Sequence, residues 1–209
     1  MIRLRTFLRD NSGAGAAEFA LILPVMLTFL LGIIDVGRFA WQVNEVGKAV
    51  QVGARRAVVT DLIPNGLSTY SYAISDSVPQ GTVVPQAKFP GITCTGTSTA
   101  VTCNWKGTAP TGYPTNNAAN MLTTFKALVS RMQDVDPDIT YANVQVDYDW
   151  SGLGFAGDPN GPDVAPLTKV TVVNLPFKPI TTFLFGASFN LPSISYSLTM
   201  EDGSGTESS

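Results

Sequence analysis

Residues 13–34, GAGAAEFALILPVMLTFLLGII, decide the fold of this chain. Between residues 14 and 34 the only charged side chain is Glu18. At a rise of about 1.5 Å per residue, a helix of this length spans the roughly 30 Å hydrocarbon layer of a bilayer. A carboxylate so close to hydrocarbon costs free energy, which favours a functional role for Glu18. The plainer interpretation, an interfacial acid at the start of an ordinary membrane anchor, stays open.

The residues around the apolar run indicate how it would lie in a membrane. Arg3, Arg5 and Arg9 precede it, and cations are commonest on the cytoplasmic side of membrane helices, so the rest of the chain would be exported. A cleaved secretory signal also joins a basic start to an apolar run, but its small-residue cleavage site follows that run. Here the small residues, 13–17, precede it. We therefore expect the helix to be retained and to cross the membrane once.

A longer motif extends on both sides of Glu18. It consists of Gly13, Glu18-Phe19, Pro24, Gly32-Ile33-Ile34-Asp35-Val36-Gly37-Arg38 and Gly53-Ala54-Arg55. In this pattern, over residues 13–57, the chain resembles the TadE-like family, which are minor-pilin-like proteins of the tight-adherence (type IVb) pilus. The resemblance implies a pilin-like fold, with a long N-terminal helix packed on a small antiparallel sheet.

The resemblance also implies processing and assembly residues. A prepilin peptidase of the inner membrane would cut after Gly13, removing residues 1–13 as a leader peptide and leaving Ala14 as the new N-terminus. Glu18 and Phe19 would then act in assembly. Ala14 and Glu18 lie one helical turn apart, which places the carboxylate near the new ammonium and the positive end of the helix dipole. In an assembly Glu18 would instead be able to pair with the amine of a neighbour.

The function implied by the resemblance is that of a minor pilin or pseudopilin supporting pilus assembly or adhesion. Its partners would be other pilins, pilus assembly proteins, the prepilin peptidase and membrane lipid. It would lie in the bacterial inner membrane, with its head in the periplasm and, after assembly, in the pilus. The alternative is a single-pass envelope protein whose exported head binds a ligand without entering a filament. Glu18 distinguishes the two, because only the first needs it.

Composition argues against several other classes of function. The chain has no histidine, which removes the side chain most used in acid–base catalysis and metal binding. It also has neither a phosphate-binding glycine loop nor a Gly-x-Ser-x-Gly motif. Only 14% of residues are charged and the net charge is −3, so no basic surface for nucleic acid is expected. We expect neither catalysis nor a cofactor.

The two cysteines, Cys94 and Cys103, lie in the part of the chain that would be exported. In an oxidising compartment such a pair is expected to form a disulfide. Without histidine, two cysteines supply half a zinc site at best.

One pattern of oxygen side chains resembles a calcium-binding loop. Asp147, Asp149, Ser151, Gly152 and Asp158 fall at positions 1, 3, 5, 6 and 12 of an EF-hand spacing. The preceding segment reads as a strand, however, and aspartate replaces the usual glutamate at position 12. The alternative is an ordinary turn rich in aspartate and glycine.

The remaining sequence predicts an α+β fold. A transmembrane helix, residues 14–35, continues as a helical stalk, residues 36–62, and leads to an exported head, residues 63–200. Within the head, residues 64–116 read as a loop-rich insertion with one alternating run, 99–105. Residues 118–133 predict a second short helix, and residues 201–209 a disordered tail. Alternating apolar and polar side chains predict antiparallel strands at residues 143–150, 167–173 and 193–200.

Overall fold

The computed structural model describes residues 13–113, 119–182, 186 and 189–201. Its helices are α1 (Ala14–Val58), the single turn α2 (Tyr72–Ser75) and α3 (Ala119–Gln133), with a 3-10 turn at Tyr141–Asn143. Its strands are β1 (Ile92–Gly96), β2 (Val101–Trp105), β3 (Val144–Asp149), β4 (Leu167–Val172), β5 (Pro176–Phe177), β6 (Phe189–Asn190) and β7 (Ile194–Thr199). The predicted α+β class, with a long helix, a small antiparallel sheet and a second helix, is confirmed.

The chain divides into two compact units. The anchor unit contains α1 as far as Gln42 together with the segment Phe177–Phe189. The head unit contains Val43–Pro176 and the chain from Asn190 onward. Helix α1 therefore belongs to both units, with its apolar two thirds in the first and its last four turns in the second.

A five-stranded sheet in the order β2-β1-β3-β4-β7 forms the centre of the head unit, and every neighbouring pair is antiparallel. The strands predicted at 143–150, 167–173 and 193–200 correspond to β3, β4 and β7. Helix α3 begins at Ala119, and its apolar face is buried at Met121, Phe125, Leu128, Val129 and Met132. Residue 118, the predicted first residue of this helix, lies outside the described residues.

The last turns of α1 pack inside the head unit along one face, which the sequence predicts by placing apolar residues at steps of three and four. Val46, Val50, Ala54 and Ala57 are all buried. A Cβ placed on Gly53 would lie 2.8 Å from the Met132 sulfur in α3 and 3.5 Å from Val170 in β4. This glycine of the motif therefore permits close approach of the helix to its neighbours. The helix ends at Val58, four residues before the predicted end of the stalk.

Two glycines of α1 are expected to respond to alanine in opposite directions. Gly53→Ala should lower the free energy of unfolding by about 1 to 2 kcal/mol, because the fully buried Met132 has to move in a packed core. Gly47→Ala should raise it by about 0.5 to 1 kcal/mol, since nothing lies within 4 Å of the new methyl and alanine favours the helix. Urea denaturation of the full-length protein in detergent measures both. Equal stability of the two variants would contradict the packing described here.

The interpretation of residues 64–116 as a loop-rich insertion is wrong for residues 92–105. Strands β1 and β2 form a hairpin there, and β1 also pairs with β3, so the hairpin is part of the main sheet. Cys94 and Cys103 lie directly opposite each other in it and form the expected disulfide. The alternating run at 99–105 indicated β2. Strand β1 was missed because its five residues, ITCTG, include only one large apolar side chain and end in glycine.

Of the predicted tail, only Glu201 is described. Its N–H donates to the carbonyl of Val58, so this residue is held at the end of α1. Residues 202–209 lie outside the described residues.

Candidate functional site

The first candidate site is the beginning of α1. Gly13 precedes the helix, and its carbonyl accepts the first intrahelical bond, from the N–H of Ala17 at 3.0 Å. Glu18 and Phe19 follow within the first two turns, and both side chains are exposed. No described residue pairs with the carboxylate of Glu18. The structure therefore places all three residues at one helix end and leaves them accessible to another molecule.

The apolar part of α1 has almost no protein cover. Helix α1 is long and apolar enough to cross a membrane, and very little of its most apolar window is buried in the structure. Leu21, Val25 and Phe29, for example, are each about two thirds exposed or more (77%, 69% and 72%). The core helix of a water-soluble protein would be mostly buried. This surface is suited to contact with lipid or with other helices.

The second candidate site is Asp35, the first acid after Glu18. Its buried carboxylate accepts hydrogen bonds from the N–H of Ile180 at 2.7 Å and from the N–H and hydroxyl of Thr181 at 2.9 Å and 2.7 Å. Arg38, one turn along the helix, donates a fourth at 3.2 Å. Charge-assisted hydrogen bonds of this kind are among the stronger ones. They attach the segment at Ile180 to α1 immediately after the apolar run ends.

Arg38 and three phenylalanine rings add further contacts between this segment and α1. The guanidinium of Arg38 also donates to the carbonyl of Lys178 at 3.2 Å and lies 5.7 Å from the ring centre of Phe177. Phe39, Phe177 and Phe189 form a triangle with ring centres 5.3 to 5.8 Å apart. Residues 177–182 are thus held to the helix by both polar and aromatic contacts. We call Asp35, Arg38 and the donors at 180 and 181 the Asp35 site.

Sequence reasoning included Asp35 and Arg38 only as members of the motif. The available signal was their position, an acid followed three residues later by a base, directly after a long uncharged helix. Nothing local indicated the partner, because Ile180 lies 145 residues further along the chain. The segment that begins at Ile180 is described as far as Thr182, since residues 183–185 lie outside the described residues.

The calcium-like pattern is not assembled as a cation site. Lys106 places its ammonium 2.9 Å from the Asp147 carboxylate and 2.6 Å from that of Asp149, where a metal would otherwise have to lie. The hydroxyl of Ser151 donates to the carbonyl of Ala165, and Asp158 accepts from a local backbone N–H. Among the described residues, no group of three or more acidic or cysteine side chains is arranged to hold a metal. The structure therefore favours the alternative, an ordinary turn.

The polar face of β3 is covered by other side chains at Asp147. This side chain is 2% exposed and accepts hydrogen bonds from Thr93 at 2.6 Å and Gln145 at 3.0 Å. Lys169 lies 3.6 Å away, on the opposite side from Lys106. Burial on its own would raise the pKa of Asp147, but the hydrogen bonds from Thr93, Gln145 and Lys106 hold the pKa below its ordinary value. Alternation identified the face of the sheet, but not the lysines that cover it.

Comparison with known proteins supports the resemblance at the N-terminus. Residues 13–55 match the family model described as TadE-like protein. The match covers about a fifth of the chain and includes Gly13, Glu18, Asp35 and Gly53. No curated protein and no solved structure was found that matches the chain.

Proposed function

We propose that this chain is a membrane-anchored, pilin-like component of a tight-adherence pilus system, cut after Gly13 and assembled through α1. The observation that carries the proposal is the exposed apolar helix, which begins with an accessible Glu18 inside the segment that matches TadE-like proteins. No catalytic role and no cofactor form part of it.

An apolar helix without protein cover suits both the membrane-anchored form and the assembled form of such a protein. In the inner membrane the exposed side chains of α1 contact lipid. In an assembly the same side chains pack against helices of neighbouring subunits, which removes their apolar surface from water. Arg3, Arg5 and Arg9 support a cytoplasmic start, and the Cys94–Cys103 disulfide supports a head in the oxidising periplasm.

Glu18 supplies an orienting interaction in this scheme. Cleavage after Gly13 creates an ammonium on Ala14, one turn before the carboxylate. The exposed carboxylate is then free to bind either its own ammonium or that of a neighbouring subunit. In surroundings of low dielectric, pairing of the two charges is strongly favoured over leaving either alone.

The N-terminal residue of the protein purified from membranes tests the proposal. We expect Ala14, and Gly13→Leu should leave Met1 in place because a bulky side chain then adjoins the bond to be cut. Gly32→Leu is the matched control, since an added side chain meets nothing within 4 Å at either glycine, and it should be processed normally. Finding Met1 on the unaltered protein would favour the alternative, a plain envelope anchor with a ligand-binding head.

A further inference from the structure

We propose that the anchor unit makes a second contact with the bilayer, in which a surface beside the Asp35 site lies in the lipid headgroup layer. This interfacial surface consists of Arg38, Trp41, Lys178, Ile180 and Phe189. The inference rests on the membrane-spanning role of α1 in the proposed function, and it adds a lipid-binding surface outside the span.

Depth along α1 places this surface at the membrane boundary. The uncharged run ends at Ile34, and the backbone N–H of Ile180 bonds directly to Asp35. Ile180 is therefore level with the edge of the hydrocarbon. Trp41 lies six residues further along the helix, about 9 Å at 1.5 Å per residue. The headgroup layer on each side is roughly 5 to 8 Å thick, so residues 35–38 lie within that layer. Trp41 lies just beyond its outer edge, and side chains of a helix tilt toward the helix N-terminus, which here is toward the layer.

The exposed side chains here have the chemistry of an interface. Trp41 is 69% exposed, Phe189 49% and Ile180 44%, and all three belong to the anchor unit. Tryptophan and other aromatic residues concentrate at the headgroup level of membrane proteins. These side chains would enter the layer from α1 and from the attached segment.

The charges at this surface favour lipid phosphate as the partner. Beyond residue 34 the anchor unit carries two cations, Arg38 and Lys178, and one acid, Asp35. Arg38 supplies one of the four hydrogen bonds on this acid, yet its side chain is 48% exposed, and Lys178 is exposed as well. The three charges leave this surface with a net positive charge. Anionic headgroups attract cations next to a membrane helix. A second copy of this chain would present the same two cations, which makes lipid the better match.

Site-specific fluorescence in lipid vesicles tests the inference on the full-length protein. A single cysteine in the variant Ile180→Cys is labelled with the dye NBD, while the native cysteines stay in their disulfide. The protein is reconstituted in vesicles of phosphatidylcholine and phosphatidylglycerol. We expect emission at shorter wavelength than from Ile74→Cys, an exposed position of the head unit, and quenching by lipids that carry a nitroxide at the headgroup. Water-like, unquenched emission at position 180 would overturn the inference.

A third label separates this inference from the proposed function. Val25→Cys lies inside the apolar run and should be quenched by nitroxides deep in the acyl chains. If position 25 is quenched and position 180 is not, the membrane span stands and the interfacial surface is wrong. If neither is quenched, the span itself is wrong. A blue shift at position 180 that disappears as the protein is diluted in lipid would indicate contact between copies, and would also overturn the inference.

Asp35 should act as a positioning residue for this contact, because its carboxylate holds the segment at Ile180 against α1. Asp35→Ala removes the acceptor for Ile180 and Thr181, so headgroup quenching at position 180 should fall while quenching at position 25 is unchanged. Unchanged quenching at position 180 in this variant would show that the Asp35 site does not position the surface.

Discussion

Replacing Glu18 by alanine is expected to remove this chain from assembled pili while leaving it in the membrane. At about 4 Å and an effective dielectric of about 20, two opposite unit charges attract by about 4 kcal/mol. Desolvation offsets part of this. A remaining loss of about 2 to 3 kcal/mol would lower incorporation roughly a hundredfold, because each 1.4 kcal/mol is a factor of ten. The apolar helix is untouched by the change, so membrane insertion should persist.

The measurement compares the amount of this chain in pili sheared from the cells with the amount in the membrane fraction. Glu18→Gln should behave like Glu18→Ala, because it keeps the size of the side chain and removes its charge. Glu45→Ala, which removes an acid from the head-unit part of the same helix, is the matched control and should be incorporated normally. Incorporation of Glu18→Ala at the level of the unaltered protein would contradict the proposed function and favour the plain envelope anchor.

Local sequence patterns predicted the elements that have a strong period. The uncharged run and the spacing of Val46, Val50, Ala54 and Ala57 identified α1, and alternation identified β3, β4 and β7. In the last turns of α1 and in β3 and β4, one face of the element meets the core, and the core imposes its period on the side chains. The uncharged run has little protein cover, and no residue of β7 is buried. The ends of the elements were predicted less accurately. Helix α1 ends at Val58, although its apolar pattern continues into residues 59–63.

Contacts between residues far apart in sequence were beyond these patterns. Two of the three hydrogen bonds that attach residues 180 and 181 to Asp35 come from backbone N–H groups, which every residue except proline has. The third comes from the Thr181 hydroxyl, and a single threonine in the sequence does not indicate its partner. The coverage of Asp147 depends on Lys106, which follows a hairpin whose first strand has no strong alternation. Such contacts are set by topology, and the sequence indicates them only after the sheet order is known.

The largest loss of stability is expected from Lys106→Met. The variant keeps most of the apolar stem but removes the ammonium 2.9 Å from Asp147, leaving a carboxylate that is 2% exposed. Breaking a buried ion pair by removing one partner costs about 3 to 5 kcal/mol. Thr93 and Lys169 remain beside the carboxylate, so we expect a value near the lower end, about 3 kcal/mol. Urea denaturation of the full-length protein in detergent, followed by tryptophan fluorescence, measures it.

Replacing the acid of this pair instead of the lysine should cost less stability. Asp147→Asn leaves Lys106 paired with Asp149 at 2.6 Å, and the Lys106 and Lys169 side chains are 33% and 39% exposed and reach water. The double variant should therefore lose less stability than the sum of the two single variants. A larger loss for Asp147→Asn than for Lys106→Met would contradict this account of which charge is buried.

Lowering the pH should reduce the stability of these variants to different extents. Because the pKa of Asp147 in the folded protein is held below its unfolded value of about 4, the ionised side chain stabilises the fold fully above that value. This contribution is lost as the pH falls through the lower, folded pKa. Asp147→Asn should therefore lose less stability on acidification than the unaltered protein.

Some acid dependence of stability should persist in Asp147→Asn, because Asp76 also has a lowered pKa. Asp76 is buried but accepts hydrogen bonds from Tyr70, Thr111 and Lys88. In Lys106→Met the loss should begin at higher pH, since one of the groups that lowers the pKa of Asp147 is gone.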